Sequence, residues 1–183
     1  MPIKTLDIVY ISKILKEGGV ILYPTEGVYG IGCNPFDYTA VKRLLSIKKR
    51  NTEQGLILIS AHWQQVKNLI NIDLNKNKIL YDNNPITWVI PATEYVPSWI
   101  KGKHDTVAIR VTQHPIIKNI CIKFNNPIVS TSANISTEHA PLKFTQIKPD
   151  IISAVDLIVD GETGNLGKSS TICELITHKI YRL

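Results

Sequence analysis

No stretch of the chain approaches the run of roughly 18 apolar residues that a bilayer-spanning helix needs, so no membrane span is expected. The opening segment, MPIKTLDIVY, lacks an apolar core followed by a small-residue cleavage site, so a secretory leader is not expected and the cytoplasm is. Cysteine is scarce. Cys33, Cys121 and Cys173 are odd in number and far apart, which excludes a disulfide framework and a paired-cysteine metal knuckle and fits a reducing cytosol. Cys33 reads as a small hydrophobe facing the core. His62, His104, His114, His139 and His178 form no HExxH pair, so zinc catalysis has no ligand set, and His62 and His114 read as surface or capping residues. There is no GxSxG, and Ser132 has no evident histidine partner, which argues against a hydrolytic serine. A Walker A loop is missing too: in GETGNLGKSS, Glu162 stands where the pattern needs its first glycine. What is left is a glycine-rich loop whose backbone N–H groups and hydroxyls suit an anion. GVYGIG lacks the dinucleotide-binding spacing, and its glycines instead let a ligand or a neighbouring strand approach the backbone.

What the 183 residues do contain is 44% hydrophobic and 20% charged, enough for one sizeable core and too few charges for disorder. A single domain over residues 1–183 is expected. The net charge is +6 and the pI about 9.2. Lys42, Arg43, Lys48, Lys49 and Arg50 concentrate the positive charge, which favours nucleotide phosphates or RNA as partners unless it is a plain solvated face.

Along the chain, Leu6, Val9, Tyr10 and Ile14 recur at helical spacing and Gly18-Gly19 closes that helix. VILYP is a short strand, TEGVYGIGC a loop passing into a second strand, and Asp37 caps a helix that runs to about Lys48. LILIS is a strand, followed by a helix carrying Trp63, Val66, Leu69 and Ile70. Residues 71–84 read as part helix and part loop. TWVIP and TVAIRV are strands, 115–124 a helix, PIVS a strand; a helix within 143–155 precedes the strands LIVDG and STICEL. Helices interleaved with short buried strands predict an α/β fold with a mixed sheet.

Lys48 and Arg50 end the basic helix, where both can project past its final turn. The helix dipole alone favours cations there; a phosphate clamp, with Arg as planar fork and Lys as mobile charge, is the alternative. Thr25 and Glu26 sit at one strand mouth, Arg110 ends VAIR, and the hydroxyls and amide of VSTSAN close another strand. If these ends share one rim, cations and hydroxyls converge over a single crevice.

The elements YPTEGVYGIGC (23–33), KRLLSIKKR (42–50), GLILIS (55–60), VAIRVTQHP (107–115) and VSTSAN (129–134) occur in that order. As an ordered set they closely resemble the YrdC family, the threonylcarbamoyl-AMP synthases, in the short form without a second domain. The likeness extends from the first helix to STICEL. It implies a YrdC-like twisted mixed sheet with flanking helices around a positively lined cavity. It implies formation of L-threonylcarbamoyladenylate and pyrophosphate from L-threonine, bicarbonate and ATP, feeding the N6-threonylcarbamoyl modification of adenosine 37 in tRNA. By the same resemblance Lys48 and Arg50 are the catalytic K-x-R pair and, with the S-x-N pair Ser132 and Asn134 and with Ser170, bind ATP. Thr25, Tyr29, Arg110, Ser130 and Thr131 take the threonine or carbamate end. Magnesium would arrive on the ATP phosphates, without metal ligands from protein side chains. tRNA and the threonylcarbamoyl-transferase machinery are the implied further partners.

Two departures stand out. Many relatives carry lysine where this chain has Gln54, and W-P-G-P where it reads DNNP at 82–85. Two rival readings are a non-catalytic RNA-binding protein of the same fold, favoured by the basic helix, and a domain acting on carbamoyl phosphate. No aromatic-interleaved RNA motif supports the first, and no appended zinc-finger or acylphosphatase-like region supports the second.

Overall fold

Asp7 accepts the backbone N–H groups of Val9 and Tyr10 and so caps the first helix, α1 (Ile8–Lys16), which follows a short strand, β1 (Ile3–Thr5). The computed structural model describes residues 2–77 and 85–183, so Asp82, Asn83 and Asn84 of the DNNP departure lie outside the described residues. After α1 come β2 (Ile21–Pro24), β3 (Tyr29–Gly32) and α2 (Tyr38–Lys48), the last capped by the Asp37 carboxylate on Ala40 N–H. Then follow β4 (Ile57–Ser60), β5 (Thr87–Pro91), the short α3 (Ser98–Lys101), β6 (Thr106–Val111) and α4 (Pro115–Phe124). The chain continues through β7 (Ile128–Ser132), α5 (Pro149–Ala154), β8 (Leu157–Val159), β9 (Ile172–Glu174) and β10 (Ile180–Arg182).

Among the described residues all ten strands join one sheet in the order β1-β8-β2-β3-β7-β4-β6-β5-β9-β10. It is mixed: β1 and β2 run parallel to β8, β4 to β6 and β5 to β9, and the other pairs are antiparallel. Side chains alternate between the two faces with period two, and the register makes the division visible. Leu58, Val129 and Ile109 point to the face covered by α2, where they join Val41, Leu44 and Leu45 in the larger core. Ile59 and Ile128 point to the other face, where α1 and α4 supply Ile11, Leu15, Ile117, Ile120 and Cys121. On that second face Ile57, Ser130 and Ala108 lie in register beyond the helices. There the lining is mostly small or polar, and a cavity takes the place of a helix.

Several sequence expectations need correction. The buried stripe of α1 is Ile11, Ser12 and Leu15, not the predicted one, and Leu6 and Val9 are exposed, because the helix turns its face to α4. Residues Trp63–Leu69 form a 3-10 helix, which suits their buried Trp63, Val66 and Leu69 at spacing three. The helix expected within 143–155 is α5, which a 3-10 turn (Phe144–Gln146) precedes. His114, read as a surface or capping residue, stands at the N-cap position of α4 but is buried at 8% exposure, its Nε2 within 3.1 Å of the Glu162 carbonyl. β1 and β10 were not foreseen; both are short and largely exposed edge strands whose pairing partners lie far away or across a turn. Of the two readings of the GVYGIG glycines, the neighbouring strand applies at Gly32. A side chain there would meet the Val129 carbonyl at 2.0 Å, so β3 and β7 can approach only over a glycine.

Candidate active site

The cavity on the second face has a volume of about 180 Å³ and is lined by Thr25, Gly30, Ser130, Thr131 and Ser132 on one side and by Arg50, Ala108, Arg110 and Arg182 on the other. Strand register assembles it. Gly30 of β3 sits beside Ser132 of β7, Ser130 beside Ile57 of β4, and Ile57 beside Ala108 of β6, two residues before Arg110 on the same face. An adjoining chamber of about 220 Å³ shares Gly55, Ala108 and Ile172 with it and is mostly apolar, with Leu56, Val89, Ile100 and Tyr181 in its wall.

Three guanidinium groups therefore face one small space. Arg50 follows the left-handed cap residue Lys49 (φ 50°), donates from NH2 to the Gly55 carbonyl at 2.7 Å, and leaves its buried Nε without a partner. Arg182 donates from Nε and NH2 to the Ser170 carbonyl at 3.1 and 2.9 Å. Burial lowers both from the usual arginine range, and in Arg182 the charges of Arg110 and Arg50 push the same way. Among the described residues the carboxylate paired with this cluster is Glu26, whose Oε2 lies 3.7 Å from Arg110 NH2. Cations that repel one another in a partly buried space favour an anionic ligand.

Lys48 behaves differently from Arg50. It is buried, and its Nζ turns back to donate to the backbone carbonyls of Ser132 and Asn134 and, at 3.2 Å, to Asn134 Oδ1. The Lys48 carbonyl in turn accepts from Ser136 N–H and Oγ, both at 3.1 Å. Lys48 thus ties the end of α2 to the loop after β7 instead of projecting past the helix as the sequence predicts, and it is absent from the cavity lining. Burial and then the Arg50 charge lower its pKa to about 8, against an opposing pull from Glu138. Asn134 also stays outside the lining, its amide donating to the carbonyls of Ile135 at 3.1 Å and Glu138 at 2.6 Å. The K-x-R and S-x-N pairs therefore interlock: Lys48 and Asn134 brace the loop, while Arg50 and Ser132 face the space.

The other expected residues divide similarly. Thr25, Ser130, Thr131 and Ser170 line the cavity; Thr25 Oγ1 donates to Val28 O at 2.8 Å and Ser170 Oγ sits 2.7 Å from Thr87 Oγ1. Tyr29 does not line it, because its hydroxyl donates to Gly161 O at 2.6 Å and its ring meets Phe144 edge-on. The GETGNLGKSS loop, read as suited to an anion, spends two of its N–H groups as a strap. Gly164 and Leu166 N–H groups bond the carbonyls of Thr25 and Glu26 at 2.9 and 3.0 Å, and only its end, Ser169 and Ser170, reaches the cavity. Gly27 permits this contact, since a Cβ there would lie 1.9 Å from Lys168 O. Gln54 is exposed and outside the lining. Gln54→Lys is therefore expected to leave ATP affinity within about two-fold by titration calorimetry, near the small value of exposed charges.

Sequence reasoning missed Arg182. Its signal was weak: ITHKIYRL is one turn and three residues of strand alternation, with nothing in the sequence to say that it folds back onto STICEL. Glu26 was seen only as part of a strand mouth. Among the described residues no group of three or more His, Cys, Asp or Glu side chains is placed to hold a metal, and no helix is long and apolar enough to cross a membrane.

Residues 13–183 match the Sua5_yciO_yrdC family, described as telomere recombination. Curated relatives named threonylcarbamoyl-AMP synthase include one from Pseudoalteromonas translucida, 41% identical over 92% of both chains. Another from Coxiella burnetii is 43% identical over 93% of this chain and 94% of its own. Among solved structures, a P. abyssi Sua5 variant superposes over 100% of this chain with a TM-score of 0.90 at 30% identity. This chain spans only 60% of that one. P. abyssi Sua5 complexed with L-threonine gives a TM-score of 0.88 at 30% identity, over 98% of this chain and 56% of that chain, and E. coli YciO gives 0.83 at 26%, over 96% of this chain and 87% of that one. Profile, relatives and fold agree over nearly the whole sequence: the chain belongs to the Sua5/YciO/YrdC family.

Proposed function

We propose that this protein is a threonylcarbamoyl-AMP synthase, a nucleotidyltransferase of one domain over residues 1–183 that makes L-threonylcarbamoyladenylate and pyrophosphate from L-threonine, bicarbonate and ATP. The observation that carries the reading is the three-arginine cavity edged with hydroxyls beside an apolar chamber. A polyphosphate attached to a flat apolar base needs both. Curated relatives bear the same activity in their name, and a neighbouring structure holds L-threonine.

The chemistry accounts for the residue types. Threonine's amine adds to bicarbonate with loss of water to give a carbamate. A carbamate oxygen then attacks the α-phosphorus of ATP; the P–O bond to the β-phosphate breaks, and pyrophosphate leaves with that electron pair. Several negative charges crowd together in this step, so the protein's work is to offset repulsion and align the attack. Arg50 and Arg182 take the phosphates, Ser132 and Ser170 orient them, and Lys48 and Asn134 hold the loop that presents Ser132. Arg110, Thr25, Ser130 and Thr131 receive the threonine carboxylate and carbamate, and Tyr29 fixes the strap behind them through Gly161. The adenine occupies the apolar chamber. Magnesium enters on the ATP phosphates as part of the substrate. The product feeds threonylcarbamoylation of tRNA in the cytoplasm through a separate transferase machinery, with tRNA itself a candidate ligand of the basic helix.

Purified protein given ATP, Mg²⁺, L-threonine and bicarbonate is expected to release pyrophosphate and yield the threonylcarbamoyl-adenylate mass. Absence of product where a related enzyme works returns the chain to the RNA-binding alternative, and consumption of carbamoyl phosphate instead would support the carbamoyl-phosphate one.

A further inference from the structure

We infer that Glu26 is a positioning residue that aims Arg110 into the cavity and couples it to the Thr25 loop. The inference rests on the proposed function for what Arg110 binds. Glu26 does not line the cavity, yet its side chain is only 12% exposed and lies at the junction of two walls. Oε1 accepts from Thr112 Oγ1 at 2.6 Å, from Gln113 N at 2.9 Å and from His114 N at 3.4 Å. Those three residues follow β6 directly, so this oxygen pins the exit of the strand that carries Arg110. Oε2 is left with no hydrogen bond and faces the Arg110 guanidinium at 3.7 Å. The Glu26 carbonyl accepts from Leu166, and its neighbour Thr25 lines the cavity.

One carboxylate thus touches the β2–β3 loop, the β6 exit and a cavity arginine. Burial disfavours its charged form, but the Arg110 charge, the Thr112 hydroxyl and the backbone N–H groups outweigh burial and hold the carboxyl below the usual range. It stays ionised at neutral pH. The Arg110 side chain is 7% exposed and its own Nε has no partner, so Glu26 is the acidic side chain that the guanidinium faces among the described residues. With Glu26 in place one side of the guanidinium is occupied and the other is directed to the cavity.

A double-mutant cycle tests this, read as the affinity for L-threonine by titration calorimetry and as KM for threonine and for ATP. Glu26→Gln keeps the acceptor oxygen and the size but removes the charge. It is expected to weaken threonine binding by about ten-fold while leaving the ATP KM within about two-fold. In an Arg110→Ala background the same substitution should add almost nothing, because its effect passes through Arg110. Glu26→Asp, which keeps the charge on a shorter arm, should recover part of the loss; if Glu26→Gln does not fold, the Asp variant carries the cycle. A merely structural role predicts a lowered Tm with both KM values moved and effects that multiply in the double variant, and that result overturns the inference. So does tighter threonine binding in Glu26→Gln, which would mean that Glu26 only masks Arg110. An Arg110→Ala variant with normal threonine binding overturns the Arg110 assignment as well. Normal binding in Glu26→Gln beside an impaired Arg110→Ala overturns the positioning role alone.

Discussion

Arg50→Ala is expected to lower turnover on the order of 10²-fold or more, about 2–4 kcal/mol of transition-state stabilisation, while the protein stays folded by circular dichroism. Arg50 reaches the cavity with one nitrogen anchored on Gly55 O and its buried Nε unpartnered, so the guanidinium has both a fixed orientation and a spare donor. A cation that only complemented the helix dipole would change stability by up to ~1 kcal/mol and leave the rate alone. Wild-type turnover in the Arg50→Ala variant would remove the phosphate role outright.

Lys48→Met is expected to show a different signature, with lost activity and lost stability together. Methionine fills most of the volume but leaves the Asn134 carbonyl and the Asn134 Oδ1 without their buried Lys48 donor, and the Ser132 carbonyl with the Asn134 N–H. Unpaired buried acceptors of this kind cost about 2–3 kcal/mol, and a loop released from its brace no longer presents Ser132. A lowered Tm with turnover reduced at least ten-fold is the expected pair of results; an unchanged Tm would show that the brace contributes nothing. The proton on Lys48 adds a second test. With its folded pKa near 8, the ammonium that binds the loop is lost as pH rises through about 8, so activity should fall on that limb. Stability should not fall with it on this group's account. Between about 8 and the unfolded value of 10.5 the unfolded chain holds the proton more tightly, and stability then rises with pH. Activity loss in that window that simply tracks unfolding contradicts the assignment.

Glu26 gives the opposite sign at the other end of the scale. Its carboxyl is held below the usual value, so its contribution to stability is complete above the unfolded pKa of 4.5 and is lost as pH falls through the lowered folded value.

How far the sequence reaches can be judged from these residues. The central strands were legible because VILYP, LILIS, TVAIRV and PIVS are short apolar runs bounded by turn residues, a signal that depends only on neighbours in the chain. Helix α2 was legible from Asp37, and α4 from Pro115. Placing strand ends on one rim grouped Thr25, Glu26, Lys48, Arg50, Arg110 and the polar residues 130–134; Thr25, Arg50, Arg110, Ser130, Thr131 and Ser132 do line the cavity, whereas Glu26, Lys48 and Asn134 do not. Side-chain direction was not legible. Lys48 and Arg50 look alike two positions apart, yet one turns inward to carbonyls supplied 84 and 86 residues later while the other turns to the cavity. Arg182 was hidden for a related reason, since a three-residue edge strand takes its position from its pairing with β9 and not from its own composition.

The row of side chains lining the cavity also has a consequence for the order in which the protein matures. Gly30 meets Ser132 across one strand pair, Thr87 meets Ile172 across another, and Arg182 arrives on the last strand. The first two pairings join distant parts of the chain, and folds built on such contacts form slowly. No early folding unit, whether the α1–β2–β3 segment or the α2–β4 segment, can enclose phosphate by itself. In refolding experiments, recovery of strand and helix signal should precede recovery of ATP binding, with the affinity appearing only in the phase that seats β9 and β10 against β5. The cavity is expected to be a late product of the chain, and nucleotide present during refolding should act on that last step and leave the earlier ones unchanged.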